Sequence, residues 1–153
     1  MDEIDVKILE ELQQDADRKI YQIEKKTKIP RSTIHNRIKK LKSDKVISKI
    51  KAVVDPLKLN LNVTALVHIV VSFKKGVHAI ADEISKLQNV EEVYITSGVF
   101  DIIAKVRFKN NEELSRFIFD DKTGLKVREG IERTETMICL ERHKENGVLI
   151  PPK

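Results

Sequence analysis

The sequence predicts an α+β protein in two parts, three short helices followed by a β-α-β-β-α-β unit. Helical apolar spacing over residues 4–41 carries the first part, and strand alternation beyond Pro56 carries the second. The distribution of charge sets the two apart. Residues 1–17 hold seven acids against Lys7, residues 18–51 hold thirteen bases against Glu24 and Asp44, and residues 52–153 are balanced. A basic excess packed into one folded stretch is the footprint expected of a surface that meets a polyanion.

Each helix has a local reason. Asp2 suits an N-cap, with Glu3 and Asp5 at the positive end of the dipole, and Ile4, Ile8, Leu9 and Leu12 form the buried stripe. The run "DAD" at 15–17 ends that helix. A second helix, expected over residues 20–28, turns Ile20, Ile23 and Tyr21 inward. Pro30 opens the third, which runs to about Lys42 with Ile34, Ile38 and Leu41 on its packed face. Three short helices joined by tight turns form a helix-turn-helix pattern. The β-branched, alternating "VISKIKAVVD" at 46–55 predicts an extended wing or hinge, making a winged helix-turn-helix domain.

Beyond Asp55-Pro56 a strand over 61–73 places Val63, Ala65, Val67, Ile69, Val71 and Phe73 on one face. A helix carrying Val77, Ile80, Ala81, Ile84 and Leu87 follows, then strands at 90–97 and 99–108 around Gly98. A helix at 111–120 and a strand at 127–141 complete the ferredoxin-like βαββαβ order. Both helices then cover one sheet face, leaving Leu66 and Val70 on the other. The predicted divisions are residues 1–50 for DNA binding, 51–60 as a hinge strand, and 61–153 for the second domain, ending in a loose or docking tail "GVLIPPK".

Several function classes are disfavoured. No apolar run reaches the ~20 residues of a membrane-spanning helix, and "MDEID" carries no secretory pattern, so the expected location is cytoplasmic. The lone Cys139 sits in a strand pattern that predicts burial. The four histidines (His35, His68, His78 and His143) lack metal-ligand spacing, and neither a phosphate loop nor a nucleophile elbow is present. No catalytic or metal-binding residue is assigned.

The third helix suggests direct chemistry with DNA. Opposite its apolar stripe lie Ser32, Asn36 and Lys39, flanked by Thr33, His35 and Lys40, with Arg31 at the N-terminal end. Asn can bond adenine bidentately, Arg reads guanine, and Ser or Thr serve bases or phosphates. Lys39, Lys40, Lys45 and Lys49 are placed for backbone phosphates. Arg37 lies nearer the packed face, where DNA contact and an ion pair with the acidic first helix are both open.

Across nearly its whole length the chain resembles the Lrp/AsnC family of transcription regulators. The matching segments are "DEIDVKILEELQQDAD", "RSTIHNRIKKLKSDKVI", "DPLKLNLNV", "SGVFDIIAKV" and "ERTETMICL". It departs at Pro30, Ile23-Glu24, Lys45 and Asn60, where the family usually has a Ser cap, a Leu-Ala pair, a glycine and often a glycine. The resemblance implies a regulator that binds double-stranded DNA as a homodimer or higher homo-oligomer, with no cofactor and an amino-acid effector held between subunits near loop 97–101. The residues assigned to that effector are Gly98, Val99, Phe100, Asp101, Thr134 and Thr136. Backbone N–H groups beside Gly98 could hold a carboxylate, Asp101 an ammonium group, and the two threonines share one strand face. Gly98 and Asp101 could equally just shape a hairpin. Two other classes remain open. One is an architectural DNA-binding protein without an effector; the other is an enzyme resembling siroheme decarboxylases, for which His68, His78 and Tyr94 would be the candidates.

Overall fold

The computed structural model describes every residue except Phe73, Pro152 and Lys153. The chain divides into two compact units, Met1–Val53 with His143–Lys153, and Val54–Arg142. The described tail residues group with the first unit.

In the first unit α1 (Glu3–Gln14), α2 (Ile20–Thr27) and α3 (Arg31–Ser43) follow the predicted spans closely. The Asp2 carboxylate accepts the Asp5 N–H at 3.0 Å, and Asp5 accepts the Asp2 N–H at 3.1 Å. This reciprocal capping satisfies N–H groups that the first helical turn leaves unbonded. Ile8, Ile23, Ile29 and Ile34 form the core, bordered by Ile4, Leu12, Ile20 and Ile38. Tyr21, expected inward, is 52% exposed. One residue on from Ile20 is a turn of about 100° around the helix, which carries it off the seam.

Two non-glycine residues at helix ends adopt left-handed backbone, Lys28 with φ 63° and Lys45 with φ 56°. Such a conformation costs a side-chain-bearing residue about 1–2 kcal/mol. Lys45 therefore accepts backbone strain at the position where a glycine would fit without it.

The expected wing forms no hairpin. Residues 48–55 belong to no helix or strand, and Ile50, Val53 and Val54 are exposed. A single extended segment cannot complete a ladder without an adjacent strand. A turn of 3-10 helix, Pro56–Leu59, then begins with the Asp55 carboxylate accepting the Leu57 N–H at 3.0 Å. The C-terminal tail docks on α1: the Gln13 amide donates to the Leu149 carbonyl at 3.0 Å and accepts the Leu149 N–H at 2.8 Å.

The second unit comprises β1 (Val63–Val71), α4 (Val77–Ser85), β2 (Val90–Ile95), β3 (Ile102–Phe108), α5 (Asn111–Phe119) and β4 (Ile131–Ile138). The strands pair antiparallel in the order β2-β3-β1-β4, the ferredoxin-like arrangement. Alternation sends Val67, Ile69, Ile102 and Val106 into a core with Ile80, Ile84 and Leu114. Phe73, expected to extend the apolar face of β1, lies outside the described residues.

Four expectations change. The turn around Gly98 is a six-residue loop, 96–101, rather than a tight reversal, and Leu125–Val127 is a 3-10 turn preceding β4. Cys139 is exposed, like its neighbours Met137 and Ile138 at the end of the edge strand β4. Leu66 and Val70 are half-buried within the single chain.

Each unit has its own core, so a core deletion should act on one unit. Ile34 is fully buried, and Ile34→Ala should cost the first unit, the three-helix head, about 2–5 kcal/mol. Urea unfolding followed separately in each unit should show the head transition moving to lower denaturant and the sheet transition staying. Movement of both together would mean that the units unfold as one.

Candidate nucleic-acid interface and ligand-binding loop

Burial of Ile34 and Leu41 orients α3. The opposite side presents Ser32, His35, Asn36, Lys39 and Lys40 to solvent, with Thr33 half-buried at the margin. Lys45 and Lys49, past the helix end, are also exposed. Pro30, the N-cap, has extended backbone and offers no side-chain cap.

The arginines of α3 are engaged. Arg31 donates from Nε to Glu24 on α2. Arg37 reaches back to α1, at 2.7 Å from Asp2 and 3.3 Å from Asp5. The Asp2 carboxyl is held below its ordinary pKa, first by the Asp5 backbone N–H and then by the Arg37 guanidinium. Arg37 is correspondingly pushed up by Asp2 and Asp5. Buried Glu11 on α1 is clamped by Arg18 and by Lys26 of α2, the latter at 2.7 Å. The acidic first helix thus offsets cations that would otherwise repel one another across the head.

The second candidate region lies at one end of the sheet. Gly98, with φ 139°, and Val99 form the exposed tip of the 96–101 loop. Asp101 ties that loop to β1. Its carboxylate accepts the Val71 N–H at 2.8 Å, and its own N–H donates to the Ile69 carbonyl at 3.0 Å. Thr134 and Thr136 stand opposite Ile69 and Val67, on the helix-covered face. The Thr134 hydroxyl is buried and has no hydrogen-bond partner among the described residues. Phe100 lies on the other face, its ring 4.8 Å from that of His68 and 5.7 Å from the Arg133 guanidinium. Of the six residues expected around an effector, Thr134 and Thr136 therefore lie on one sheet face and Phe100 on the other, while Gly98, Val99 and Asp101 belong to the loop at the strand ends.

The histidines and tyrosine expected of an enzyme also separate. Tyr94 and His68 share a cross-strand row through Ile103, while His78 is exposed on α4, which packs on the opposite face.

Two family models match the chain, an AsnC-type helix-turn-helix domain over residues 1–42 and an Lrp/AsnC ligand binding domain over residues 64–149. The chain belongs to the Lrp/AsnC family. The HTH-type transcriptional regulator FL11 of Pyrococcus furiosus is 42% identical over 97% of this chain and 95% of its own. The structure of Escherichia coli AsnC matches with a TM-score of 0.84 and 26% identity over 95% of each chain. A Neisseria meningitidis transcriptional regulator, solved in complex with L-Met, shares the fold with a TM-score of 0.90 at 21% identity, over 97% of this chain and 96% of that one. This Lrp/AsnC chain is accordingly a transcriptional regulator with a helix-turn-helix DNA-binding domain and a ligand-binding domain. No helix among the described residues is long and apolar enough to cross a membrane.

Within this Lrp/AsnC head, Arg37 is the candidate DNA-facing residue that is paired with carboxylates at the start of α1. Its guanidinium braces α3 against the α1 cap. Sequence reasoning left that choice open, and it missed the Glu24–Arg31 pair altogether. The local signal for the pair was an acid inside a basic block, but its partner is seven residues away across a turn.

The Asp2 carboxylate gives the head a pH dependence of definite sign. Because its folded pKa is lowered, its contribution is fully present above the ordinary carboxylate value of about 3.9. It disappears as pH falls through the lowered folded value. Asp2→Asn keeps a cap oxygen but loses the charge. The wild-type head should melt at higher temperature than the variant near neutral pH, and the gap should close in acid. A gap independent of pH would count against the brace.

Proposed function

We propose that this Lrp/AsnC regulator lays α3 in the major groove of double-stranded DNA, acts as a homodimer or higher homo-oligomer, and responds to an amino-acid effector. The observation that carries the DNA-binding mode is the exposed polar and cationic face of α3 opposite the isoleucine seam. Asn36 is suited to adenine and Arg31 to guanine, with Ser32, Thr33 and His35 beside them. Lys39, Lys40, Lys45 and Lys49 neutralise phosphates. Arg37 serves the head's own stability. A two-fold dimer would read half-sites about 10 bp apart, centre to centre. Exposed Tyr94, Ile95, Met137 and Ile138 on the sheet's outer strands favour self-association.

The effector reading draws on two supports. The Neisseria meningitidis regulator of the same fold was solved with L-Met. In this chain, the unpartnered Thr134 hydroxyl offers a buried polar atom to a ligand, since a buried polar group without a partner is costly. Thr136 shares its face, and the exposed Gly98–Val99 tip offers backbone N–H groups. Phe100 and the two threonines of one chain lie on opposite sides of the sheet, so a ligand that meets both needs a second copy. That links effector to assembly: the ligand must bind one assembly state better than another to regulate anything.

DNA selected from random sequence, with and without an amino-acid panel, supplies the operator for testing. Asn36→Ala should cost about 1–3 kcal/mol at the preferred site and relax one base position. Lys40→Ala should weaken all duplexes evenly and reduce the salt slope by about one counterion. Equal losses on operator and random DNA for Asn36→Ala would count against base readout.

For the effector, Asp101→Ala would disturb the β1 tie, so Thr134→Val is the cleaner variant. Removing an unpartnered hydroxyl should leave thermal stability unchanged or slightly raised. Calorimetry with the amino-acid panel should show binding to the wild type and at least a tenfold loss in the variant, about 1.4 kcal/mol. No binding to the wild type at millimolar concentration would leave the architectural reading in its place.

A further inference from the structure

Within residues 18–51 the only acids are Glu24 and Asp44. A carboxylate there works against attraction to a polyanion. Glu24 lies on α2, facing the start of α3, and accepts a hydrogen bond from Nε of Arg31. The two side chains are 36% and 66% exposed. An ion pair that open to solvent adds little to stability, so holding the head together does not account for it.

The geometry of the guanidinium does. Its five donors lie in one plane, in a fixed fork. Once Nε is held, the plane is constrained, while both terminal nitrogens have no partner among the described residues. Bidentate reading of guanine needs two coplanar N–H groups aimed at O6 and N7, and the terminal pair supplies them. Glu24 also offsets the charge that would draw a free arginine onto any nearby phosphate, and it adds repulsion against such a contact. Building repulsion against wrong partners is a way to gain specificity at the expense of affinity.

We propose that Glu24 is a positioning residue that aims Arg31 at a guanine edge and disfavours its use as a phosphate clamp. This rests on the reading of α3 as the helix in the major groove, with Arg31 as a base reader.

The test uses the full chain, its selected operator, the operator with each guanine replaced in turn, and random duplex, at several salt concentrations. Arg31→Ala should remove the preference at one guanine position, a loss of roughly 5- to 100-fold. Glu24→Ala should reduce discrimination at that same position by about fivefold or more, a share of the same bidentate contact. It should also tighten binding to random duplex. Glu24→Gln, which keeps an acceptor without the charge, should retain part of the preference. In the Arg31→Ala background, Glu24→Ala should leave every base preference unchanged.

The outcomes separate the two readings. Loss of guanine preference in Arg31→Ala but not in Glu24→Ala overturns the positioning role and leaves the docking of α3 intact. If Arg31→Ala lowers affinity equally for operator and random duplex, base readout by Arg31 fails and the role of Glu24 falls with it. Uniform weakening of all DNA by Glu24→Ala, with a lowered melting temperature, assigns Glu24 to helix packing and likewise overturns the proposal.

Discussion

The DNA-binding head depends on burying Ile8, Ile23, Ile29 and Ile34 where three helices meet. α3 is a poor helix to leave exposed, because its lysines and arginines repel one another and its apolar face is narrow. The isoleucine seam fixes the side on which those cations emerge. The carboxylates of α1 and α2 then decide which of them stay available. Asp2 and Asp5 hold Arg37, Glu11 holds Arg18 and Lys26, and Glu24 holds Arg31 by one nitrogen. Acidic neighbours thus pair some of the head's cations and leave others, such as Lys39 and Lys40, exposed.

The ligand-binding domain is governed by a different constraint, the alternation of faces along β1 and β3. Odd positions of β1 fill the core beneath the helices, and even positions such as Leu66 and His68 lie on the other face. His68 is nevertheless buried, because Phe100 from the 96–101 loop packs against its ring. The same loop is pinned to the end of β1 by Asp101. One short segment thus closes over one sheet face and ties down the strand end, leaving its Gly98–Val99 tip exposed. Asp101 is engaged with the β1 backbone through its carboxylate and its N–H, so substituting it would disturb the loop itself.

Much of this was legible in the chain. The three helices, the βαββαβ order and the apolar seams follow from periodicity. The Asp2 cap and the αL-tolerant Asn60 follow from local backbone chemistry. Less legible were the rotation of a helix about its axis and the points at which strands stop. Tyr21 turned outward, Cys139 fell beyond the end of β4, and the 46–55 segment stayed unpaired although its composition is that of a strand. A strand requires a neighbour, and composition does not supply one.

Of the candidate sites, the sequence by itself determined the inventory: a block of cations on an amphipathic helix, a glycine-bearing loop and two threonines on one strand. Charge and periodicity are properties of consecutive residues, so they can be read without a fold. Only the tertiary structure decided how that inventory is used. Arg37 was consigned to carboxylates on α1, 35 and 32 residues away. Arg31 was joined to Glu24, and Thr134 and Phe100 were set on opposite sheet faces. Ion pairs and shared faces depend on distances between elements, and those distances exist only once the isoleucine seam and the strand register have formed.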